Sequence, residues 1–172
     1  MQNVMLDLET MGTNPNAPVL AIGAVFFDRT GHNPDDKFYQ TIMLESSMAM
    51  GGVIDPATVI WWMRQNIDAR KQLTTATNLL VPVLLEFSAW VKRPNVVVWG
   101  NGADFDNVIL KQAYYNARLD LPWGRYNNRC YRTLKNLVPH VSIERLGTHH
   151  NALDDAVSQA EHAAAIMRWM GL

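Results

Sequence analysis

The stretch that decides the fold is Asn3-Val4-Met5-Leu6-Asp7-Leu8-Glu9-Thr10, a mostly apolar sequence that carries two carboxylates. It reads as a short β-strand, and alternate residues of a strand project to the same face of the sheet. Asp7 and Glu9 therefore point the same way as Met5. Val4, Leu6 and Leu8 point the other way. A strand this apolar is typically buried on at least one face, so the two acids are expected to lie close to a core.

Two like charges held side by side in a partly buried site repel each other. A bound cation would relieve that repulsion, and hard oxygen ligands suit Mg²⁺ or Mn²⁺. The alternative is an edge strand whose two acids are simply solvated. This strand alone leaves both interpretations open.

Length and composition describe an ordinary globular chain. It has 172 residues, of which 48% are hydrophobic and 18% charged, which predicts a single domain over residues 1–172 with a sizeable core. The net charge of −1 excludes a strongly basic nucleic-acid coat but not a local basic groove. A lone cysteine, Cys130, and the absence of a signal-peptide pattern favour a cytoplasmic protein with no membrane partner.

Three strands, at about 3–10, 19–27 and 37–44, are joined by short links with turn residues, including Asn33-Pro34. This pattern predicts an antiparallel meander. Strands and helices then alternate, which predicts an α/β sheet of mixed direction. The later elements are expected to be a helix from Pro56, a helix to Val91, a strand at 96–99, a helix at 104–117, a short strand at 126–131, a helical turn at 132–138 and a helix at 152–170.

The first long helix is announced by Asp55 as N-cap and Pro56 at the first helical position. Apolar residues then recur at helical spacing, which predicts that they face the core. That stripe consists of Val59, Ile60, Met63 and Ile67. Trp61 falls nearly opposite the stripe, and Trp62 lies on its flank.

A second pair of acids, Asp104 and Asp106, follows the strand at 96–99. Sites in open α/β folds lie beyond the carboxyl ends of parallel strands. Acids at the start of a helix also complement its dipole. That structural role explains one of the two, for which Asp104 is the better placed, and the other is surplus to capping needs.

A third cluster runs from Thr148 to Asp155 and contains His149 and His150. Asn151 is a natural N-cap, which puts Asp154 in the first turn as a dipole-complementing acid. Asp155 has no such explanation, but helical periodicity leaves both acids off the apolar face and does not choose between them. Paired histidines beside acids could also bind zinc, although the four-ligand spacing of structural zinc is absent.

Taken together, the three clusters resemble the motifs of the DEDDh exonucleases, the DnaQ-like and RNase T-like 3′–5′ exonuclease family. Asp7-Leu-Glu-Thr10 resembles D-x-E-T, Asn101 to Leu110 resembles N-x3-F-D-x3-L, and His150 to Asp155 resembles H-x4-D. Residues 54–62 are further similar to a small phage and prophage group of these enzymes, like the Rv2179c-like 3′–5′ exoribonucleases.

The resemblance implies a ribonuclease H-like fold with a mixed five-stranded sheet flanked by helices. It also implies a metal-dependent 3′–5′ exonuclease that removes nucleoside monophosphates from the 3′ end of single-stranded RNA or DNA, acts as a homodimer and uses two Mg²⁺ or Mn²⁺ ions per active site. His150 would be the general base, and Asp106 is favoured over Asp104 and Asp155 over Asp154. The metal-binding carboxylates would be Asp7, Glu9, Asp106 and Asp155.

The chemistry of the residues agrees with that implication. Two divalent ions about 3.5–4 Å apart can clamp a phosphodiester, activate water and stabilise the leaving oxygen. Four carboxylates balance the charge of two such ions. A neutral imidazole near the attacking water can take its proton, since histidine titrates near neutrality.

Substrate contacts are expected at the ends of the same motifs and in a strip, residues 121–143, that has basic residues and no acid. Basic side chains in this strip could hold phosphates, or they could be ordinary solvated cations. Trp61 could stack on a terminal base, or it could form a flank or dimer contact. The expected substrate contacts are Thr10 through its backbone, Trp61, Asn101, Phe105, Arg129 and Arg132.

Two other functions stay open at this level: a proofreading exonuclease associated with a polymerase, and a nucleic-acid-binding module that has lost catalysis. The choice between RNA and DNA rests on contacts to the 2′-hydroxyl, which the sequence does not locate.

Overall fold

The computed structural model describes all residues, Met1–Leu172. Its centre is a five-stranded sheet with the strand order β3-β2-β1-β4-β5. The elements are β1 (Asn3–Thr10), β2 (Val19–Asp28), β3 (Gly31–Thr41), α1 (Leu44–Ala49), α2 (Pro56–Met63), α3 (Ile67–Thr74), α4 (Leu80–Val91), β4 (Val97–Gly100), α5 (Asp106–Asn116), β5 (Asn128–Cys130), α6 (Tyr131–Leu137) and α7 (Ala152–Met170).

The sheet is mixed, with β1 in the middle. β1 pairs antiparallel with β2, which pairs antiparallel with β3. On its other side β1 runs parallel to β4, and β4 runs parallel to β5. The predicted meander and the mixed five-stranded sheet flanked by helices are confirmed.

The two faces of β1 bury different cores. Leu6 and Leu8 lie in the larger apolar cluster, together with residues of α4 and α5. Met5 lies in the second cluster, where it packs with Ala156 and Ala160 of α7. The alternation of β1 therefore directs its two carboxylates to the face that α7 covers.

The start of α7 crosses β2 at a glycine. A Cβ atom on Gly23 would lie 2.1 Å from the carbonyl carbon of Ala152, far inside van der Waals contact. Only glycine lets a helix backbone approach a strand this closely. This contact fixes where the first turn of α7, and therefore Asp155, lies against the sheet.

The third strand starts earlier than the sequence predicts. β3 begins at Gly31, so Asn33-Pro34 lies within the strand and not in a turn. Proline is tolerated there because residues 33–36 have no partner in β2, where the pairing passes from Val25–Lys37 to Phe27–His32. The register shift between Val25 and Phe27 of β2 marks the irregular pairing that results. The short helix α1 was also not predicted.

The predicted start of α2 agrees with the structure, but the predicted buried face is wrong. Asp55 caps the helix by accepting a hydrogen bond from the backbone N–H of Ala57 at 3.0 Å. Three side chains of the expected buried stripe are largely exposed: Ile60 by 49%, Met63 by 65% and Ile67, which belongs to α3, by 67%.

The side chain that anchors α2 is Trp62. It is 5% exposed and donates its indole N–H to the carbonyl of Thr10 at 2.9 Å. One large aromatic ring with one hydrogen bond therefore attaches α2 beside the end of β1, and the apolar stripe is left facing outward. Periodicity identified an apolar face of α2. It could not show that α2 lies beside the carboxyl end of β1, where that face is not covered.

The elements from α4 onward lie within about two residues of their predicted bounds, and α7 spans Ala152–Met170 as expected. None of the helices combines the length and apolarity that a membrane crossing would require.

Candidate functional site

A cleft of about 770 Å³ opens at the carboxyl end of β1. Its walls come from β1, α2, the segment after β4, α6, the segment before α7, and α7 itself. The parallel strands β1 and β4 both end at this edge of the sheet, where α/β folds place their sites. All three acidic motifs of the sequence reach this place.

Three carboxylates from two elements meet at the floor of the cleft. Oxygens of Asp7, Glu9 and Asp155 lie within 4.8 Å of one another. Glu9 is only 6% exposed and Asp155 only 8%. Such a group of buried acids is costly unless cations or protons neutralise it.

Asp106, the first residue of α5, lies buried beside these acids, outside the group of three and outside the lining of the cleft. It is 2% exposed, and its carboxylate accepts hydrogen bonds from the backbone N–H groups of Leu8 at 3.2 Å and Asn101 at 2.9 Å. A Cβ atom on Gly100 would lie 3.0 Å from Asp106 and 2.4 Å from Asn107, so glycine permits this approach.

Asp104 does not share the position of Asp106. α5 begins at Asp106, and its N-cap position is Phe105, with no side-chain cap. The interpretation of Asp104 as the helix-start acid is therefore wrong, because Asp104 lies in the turn before the helix. It is Asp106 that starts the helix and lies close enough for its charge to act on Asp7 and Glu9.

Burial dominates the electrostatics of the cluster. It raises the pKa of Glu9 to about 8, with the charge of Asp106 adding to the effect. Burial also raises the pKa of Asp106 to about 7. The pKa of Asp7 is raised well above its ordinary value, first by burial and then by the charges of Asp106 and Glu9. Without a cation, Glu9 and Asp106 therefore bind protons near neutral pH.

One atom indicates what is needed to complete the cluster. Oε1 of Glu9 is buried and has no hydrogen-bond partner, which is a costly state for a carboxylate oxygen. A hard divalent cation such as Mg²⁺ or Mn²⁺ would satisfy it, because such ions prefer carboxylate oxygens. The residues present therefore fit a divalent metal centre.

His150 stands over the acids on a left-handed backbone, with φ at 63°. The backbone N–H of His150 donates to Oδ2 of Asp155 at 3.3 Å. Its ring meets the ring of Trp61 edge to face, with centroids 4.8 Å apart, and approaches Trp62 at 6.2 Å. Burial lowers its pKa, and the charges of His149 and Arg145 lower it further. The imidazole is therefore neutral near pH 7.

His149 is the more exposed member of the pair. Its ring centroid lies 4.0 Å from that of His150, and burial lowers its pKa also. Nitrogens of both histidines lie within 4.8 Å of a carboxylate oxygen of Asp155. Both residues line the cleft.

Asp154 and Asp155, the two acids of the third motif, lie in different surroundings. Asn151 caps α7 by accepting hydrogen bonds from the N–H groups of Leu153 at 3.0 Å and Asp154 at 3.1 Å. The carboxylate of Asp154 turns back to accept the N–H of Thr148 at 2.7 Å, and Asp154 is not part of the cleft lining. Asp155 lines the cleft.

Two residues of the site have no place in the sequence motifs. Gln159 donates its amide N–H to Oδ1 of Asp7 at 2.7 Å. It lies four residues after Asp155, so helical spacing could have placed it on the same face. Arg145 forms an ion pair with Asp155. It comes from an irregular segment, where no periodicity predicts a partner.

Four of the expected substrate residues line the cleft, namely Thr10, Trp61, Asn101 and Phe105. Arg129 and Arg132 do not. The guanidinium of Arg132 donates to the carbonyl of Asn101 at 2.8 Å, just outside the cleft. Arg129 donates to the carbonyls of Tyr126 and Asn128. The basic side chains that line the cleft are Lys135 and Arg145.

Several solved structures share the fold. The nuclease domain of 3′hExo, a DEDDh family member bound to rAMP, is 16% identical with a TM-score of 0.65, over 98% of this chain and 92% of that one. Pop2p of S. pombe, in a Mg²⁺- and Mn²⁺-bound form, is 14% identical with a TM-score of 0.67, over 96% and 82%. E. coli exonuclease I with a dT13 oligonucleotide is 14% identical with a TM-score of 0.60, over 97% of this chain but 40% of that one.

No curated protein is detectably similar to this chain in sequence. The family described as the 3′-5′ exoribonuclease Rv2179c-like domain matches residues 2–167. That match takes in all three acidic motifs and every strand of the sheet. This chain is therefore a member of the Rv2179c-like 3′-5′ exoribonuclease family, an enzyme of the 3′–5′ exonuclease class.

Proposed function

We propose that this protein is a metal-dependent exonuclease that hydrolyses the last phosphodiester bond at the 3′ end of single-stranded nucleic acid and releases nucleoside monophosphates. The observation that carries the proposal is the buried carboxylate cluster with the unpartnered oxygen of Glu9, placed beside His150 in one cleft. Membership of the Rv2179c-like family supports the 3′–5′ polarity and favours RNA as the substrate.

The metal-binding residues of the proposal are Asp7, Glu9, Asp106 and Asp155, which would hold two Mg²⁺ or Mn²⁺ ions. When bound, such ions activate a water molecule and stabilise the leaving oxygen. The Mg²⁺- and Mn²⁺-bound form of Pop2p supports divalent ions on this fold. Gln159 fixes the orientation of the Asp7 carboxylate through its amide hydrogen bond.

His150 is the general base of the proposal. Its lowered pKa leaves a ring nitrogen free to accept the proton of the attacking water near pH 7. The rings of Trp61 and Trp62 on one side and the backbone hydrogen bond to Asp155 on the other hold the imidazole in place. His149 lacks the contacts with the tryptophans.

The substrate would enter along Trp61, which is 41% exposed and lies beside His150. Its ring offers a stacking surface for the terminal base, and Phe105 lines the same cleft. Asn101 and the backbone of Thr10 would contact the last nucleotide. Arg129 and Arg132, outside the cleft, would contact phosphates further from the 3′ end.

The proposal extends to a homodimer, which the RNase T-like resemblance implies. The outward face of Ile60, Met63 and Ile67 supplies apolar surface of the kind that a subunit interface uses. Light scattering on the purified protein measures the subunit number directly.

The test is digestion of matched 5′-labelled single-stranded RNA and DNA with Mg²⁺ or Mn²⁺. We expect products that shorten from the 3′ end, no reaction in excess EDTA, and resistance when the 3′ end carries a phosphate. A block at the 5′ end should have no effect. Cleavage of circular single strands would indicate an endonuclease, and binding without product release would indicate a module without catalysis.

A further inference from the structure

Arg145 is the one cation that contacts the buried carboxylates. Its guanidinium pairs with Oδ1 of Asp155, while Oδ2 of the same carboxylate takes the N–H of His150. Asp155 therefore has both oxygens occupied in the metal-free protein, and one of the two partners is a charged side chain. Lys135, the other basic residue of the cleft, lies instead over the ring of Tyr131 at 5.9 Å.

The ion pair lies where the acids and the histidines meet. Arg145, Asp155 and both histidines line the same cleft. Nitrogens of His149 and His150 lie within 4.8 Å of a carboxylate oxygen of Asp155, the residue that Arg145 pairs with.

We propose that Arg145 is a phosphate-binding residue that pairs with Asp155 in the metal-free enzyme and transfers to the substrate phosphate when metal takes its place. The inference rests on the proposed function and adds to it a residue outside the three acidic motifs. It assigns two successive partners to one guanidinium, a carboxylate and then a phosphate.

Charge balance supports the second partner. Four ionised carboxylates are neutralised by two divalent cations, so a guanidinium in the same cleft becomes one positive charge in excess. A phosphodiester carries one negative charge. The planar fork of arginine also matches two phosphate oxygens, a geometry that lysine does not offer.

The side chain is free to exchange partners without moving its backbone. Its exposed fraction is 42%, so it reaches Asp155 from the solvent side. The segment that carries it is pinned to α7 by Leu146, whose N–H donates to Oγ of Ser158 at 3.0 Å, and by Val141, whose carbonyl accepts from Nε2 of His162 at 2.7 Å. The backbone is held against α7, while the paired guanidinium stays accessible to solvent.

The first measurement is the affinity of the substrate-free protein for Mn²⁺, from titration calorimetry or from the paramagnetic resonance of free Mn²⁺. Arg145→Met removes the competing charge, and we expect it to bind Mn²⁺ roughly tenfold tighter, the size of one charged hydrogen bond. Lys135→Met is the matched control and should change the affinity far less. An unchanged or weaker Mn²⁺ affinity in Arg145→Met would overturn the competition.

The second measurement is steady-state digestion of a single-stranded oligonucleotide at saturating Mn²⁺. Arg145→Met should raise KM roughly 10-fold or more. It should also reduce the slope of log KM against log salt by about 0.7, the contribution of one phosphate contact to a single strand. Arg145→Lys should restore the salt slope and only part of KM, because it keeps the charge but loses the fork.

A structural role for Arg145 would weaken metal and substrate binding together, whereas the proposal requires tighter metal and weaker substrate. An unchanged KM and salt slope in Arg145→Met would overturn phosphate binding. Failure of the proposed function looks different: wild-type protein would then leave 3′ ends intact. The Mn²⁺ titration needs no activity, so it reports on Arg145 in either event.

Discussion

The carboxylate of Asp7 illustrates how a single residue is placed by its neighbours. It accepts a hydrogen bond from Gln159 on one side and faces the charges of Asp106 and Glu9 on the other. The hydrogen bond needs only an oxygen acceptor, whereas metal binding needs the negative charge. These two demands can be separated by an isosteric substitution.

We expect Asp7→Asn to abolish exonuclease activity without unfolding the protein. Asparagine keeps an oxygen that can accept from Gln159, but it removes a charged metal ligand. In EDTA the variant should be as stable as the wild type or more stable, because a repelling charge is gone. Urea denaturation in EDTA measures this, and a clear loss of stability would contradict the electrostatic reading of the cluster.

His150 and His149 are adjacent and have different expected roles. Asparagine suits the comparison because it tolerates the left-handed backbone of His150 better than alanine does. His150→Asn should keep Mn²⁺ affinity and lose about 10²–10⁴-fold in turnover, the usual size of general-base catalysis. His149→Asn should lose little.

The pH dependence gives an independent check on the same pair. The wild-type rate should rise as the imidazole loses its proton, and the lowered pKa of His150 puts that rise below about 6.5, the ordinary value. The rise should disappear in His150→Asn. If His149→Asn is the inactive variant instead, the register of the third motif fails, and the choice of Asp155 over Asp154 fails with it.

At the scale of elements, the site depends on how closely α7 lies on the sheet. Asp155 enters the cluster from the first turn of α7, and the position of that turn depends on Gly23 of β2. The acids of β1 and the acid of α7 therefore meet only if this backbone contact is kept.

Gly23→Ala should destabilise the fold by about 1–3 kcal/mol or more, since the added methyl group overlaps the backbone at Ala152 and has no flexible side chain to displace. Gly124→Ala is the control, because its Cβ would meet only the side chain of Asn127 at 3.4 Å. Chemical denaturation of the two variants measures the difference. Equal stabilities would mean that α7 can shift away from β2 at no cost.

The helix α2 presents two adjacent tryptophans in different environments, Trp62 buried and Trp61 at 41% exposure. If Trp61 stacks on a base, Trp61→Ala should weaken oligonucleotide binding by about 1–3 kcal/mol with little change in stability. Ile60→Ala, on the outward face of the same helix, is the control. Loss of a dimer with unchanged intrinsic binding would assign Trp61 to a subunit interface.

For the whole molecule, the buried acids couple folding to both protons and metal. The pKa of Glu9 is raised to about 8 and that of Asp106 to about 7, from ordinary values near 4 in the unfolded chain. At pH values between the unfolded and folded pKa values, the metal-free folded protein therefore binds more protons than the unfolded chain. The free energy of unfolding must then fall as the pH rises from about 4 to about 8.

We expect the free energy of unfolding in EDTA to drop by a few kcal/mol between about pH 5.5 and 8.5. Mn²⁺ should stabilise the protein more at the higher pH, where it no longer competes with protons for the carboxylates. Urea denaturation at both pH values, with and without Mn²⁺, measures the effect. A metal-free protein that gains stability toward pH 8.5 would contradict the raised pKa values.

The short-range features of this protein could be read from its sequence. The alternation of β1 put Asp7 and Glu9 on one face, and the caps Asp55 and Asn151 marked where α2 and α7 begin. The mixed sheet followed from the order of strands and helices. Each of these depends on neighbours within one strand or one helical turn, which is why periodicity and capping chemistry suffice.

Only the tertiary structure decided which side chains share the cleft. Periodicity did not separate Asp155 from Asp154, and the contacts at the start of α7 do. The outward stripe of α2 and the ion pair of Arg145 were not foreseen. A spacing defines a face but not what lies against it, and the partner of Arg145 is set by hydrogen bonds that pin an irregular segment to α7.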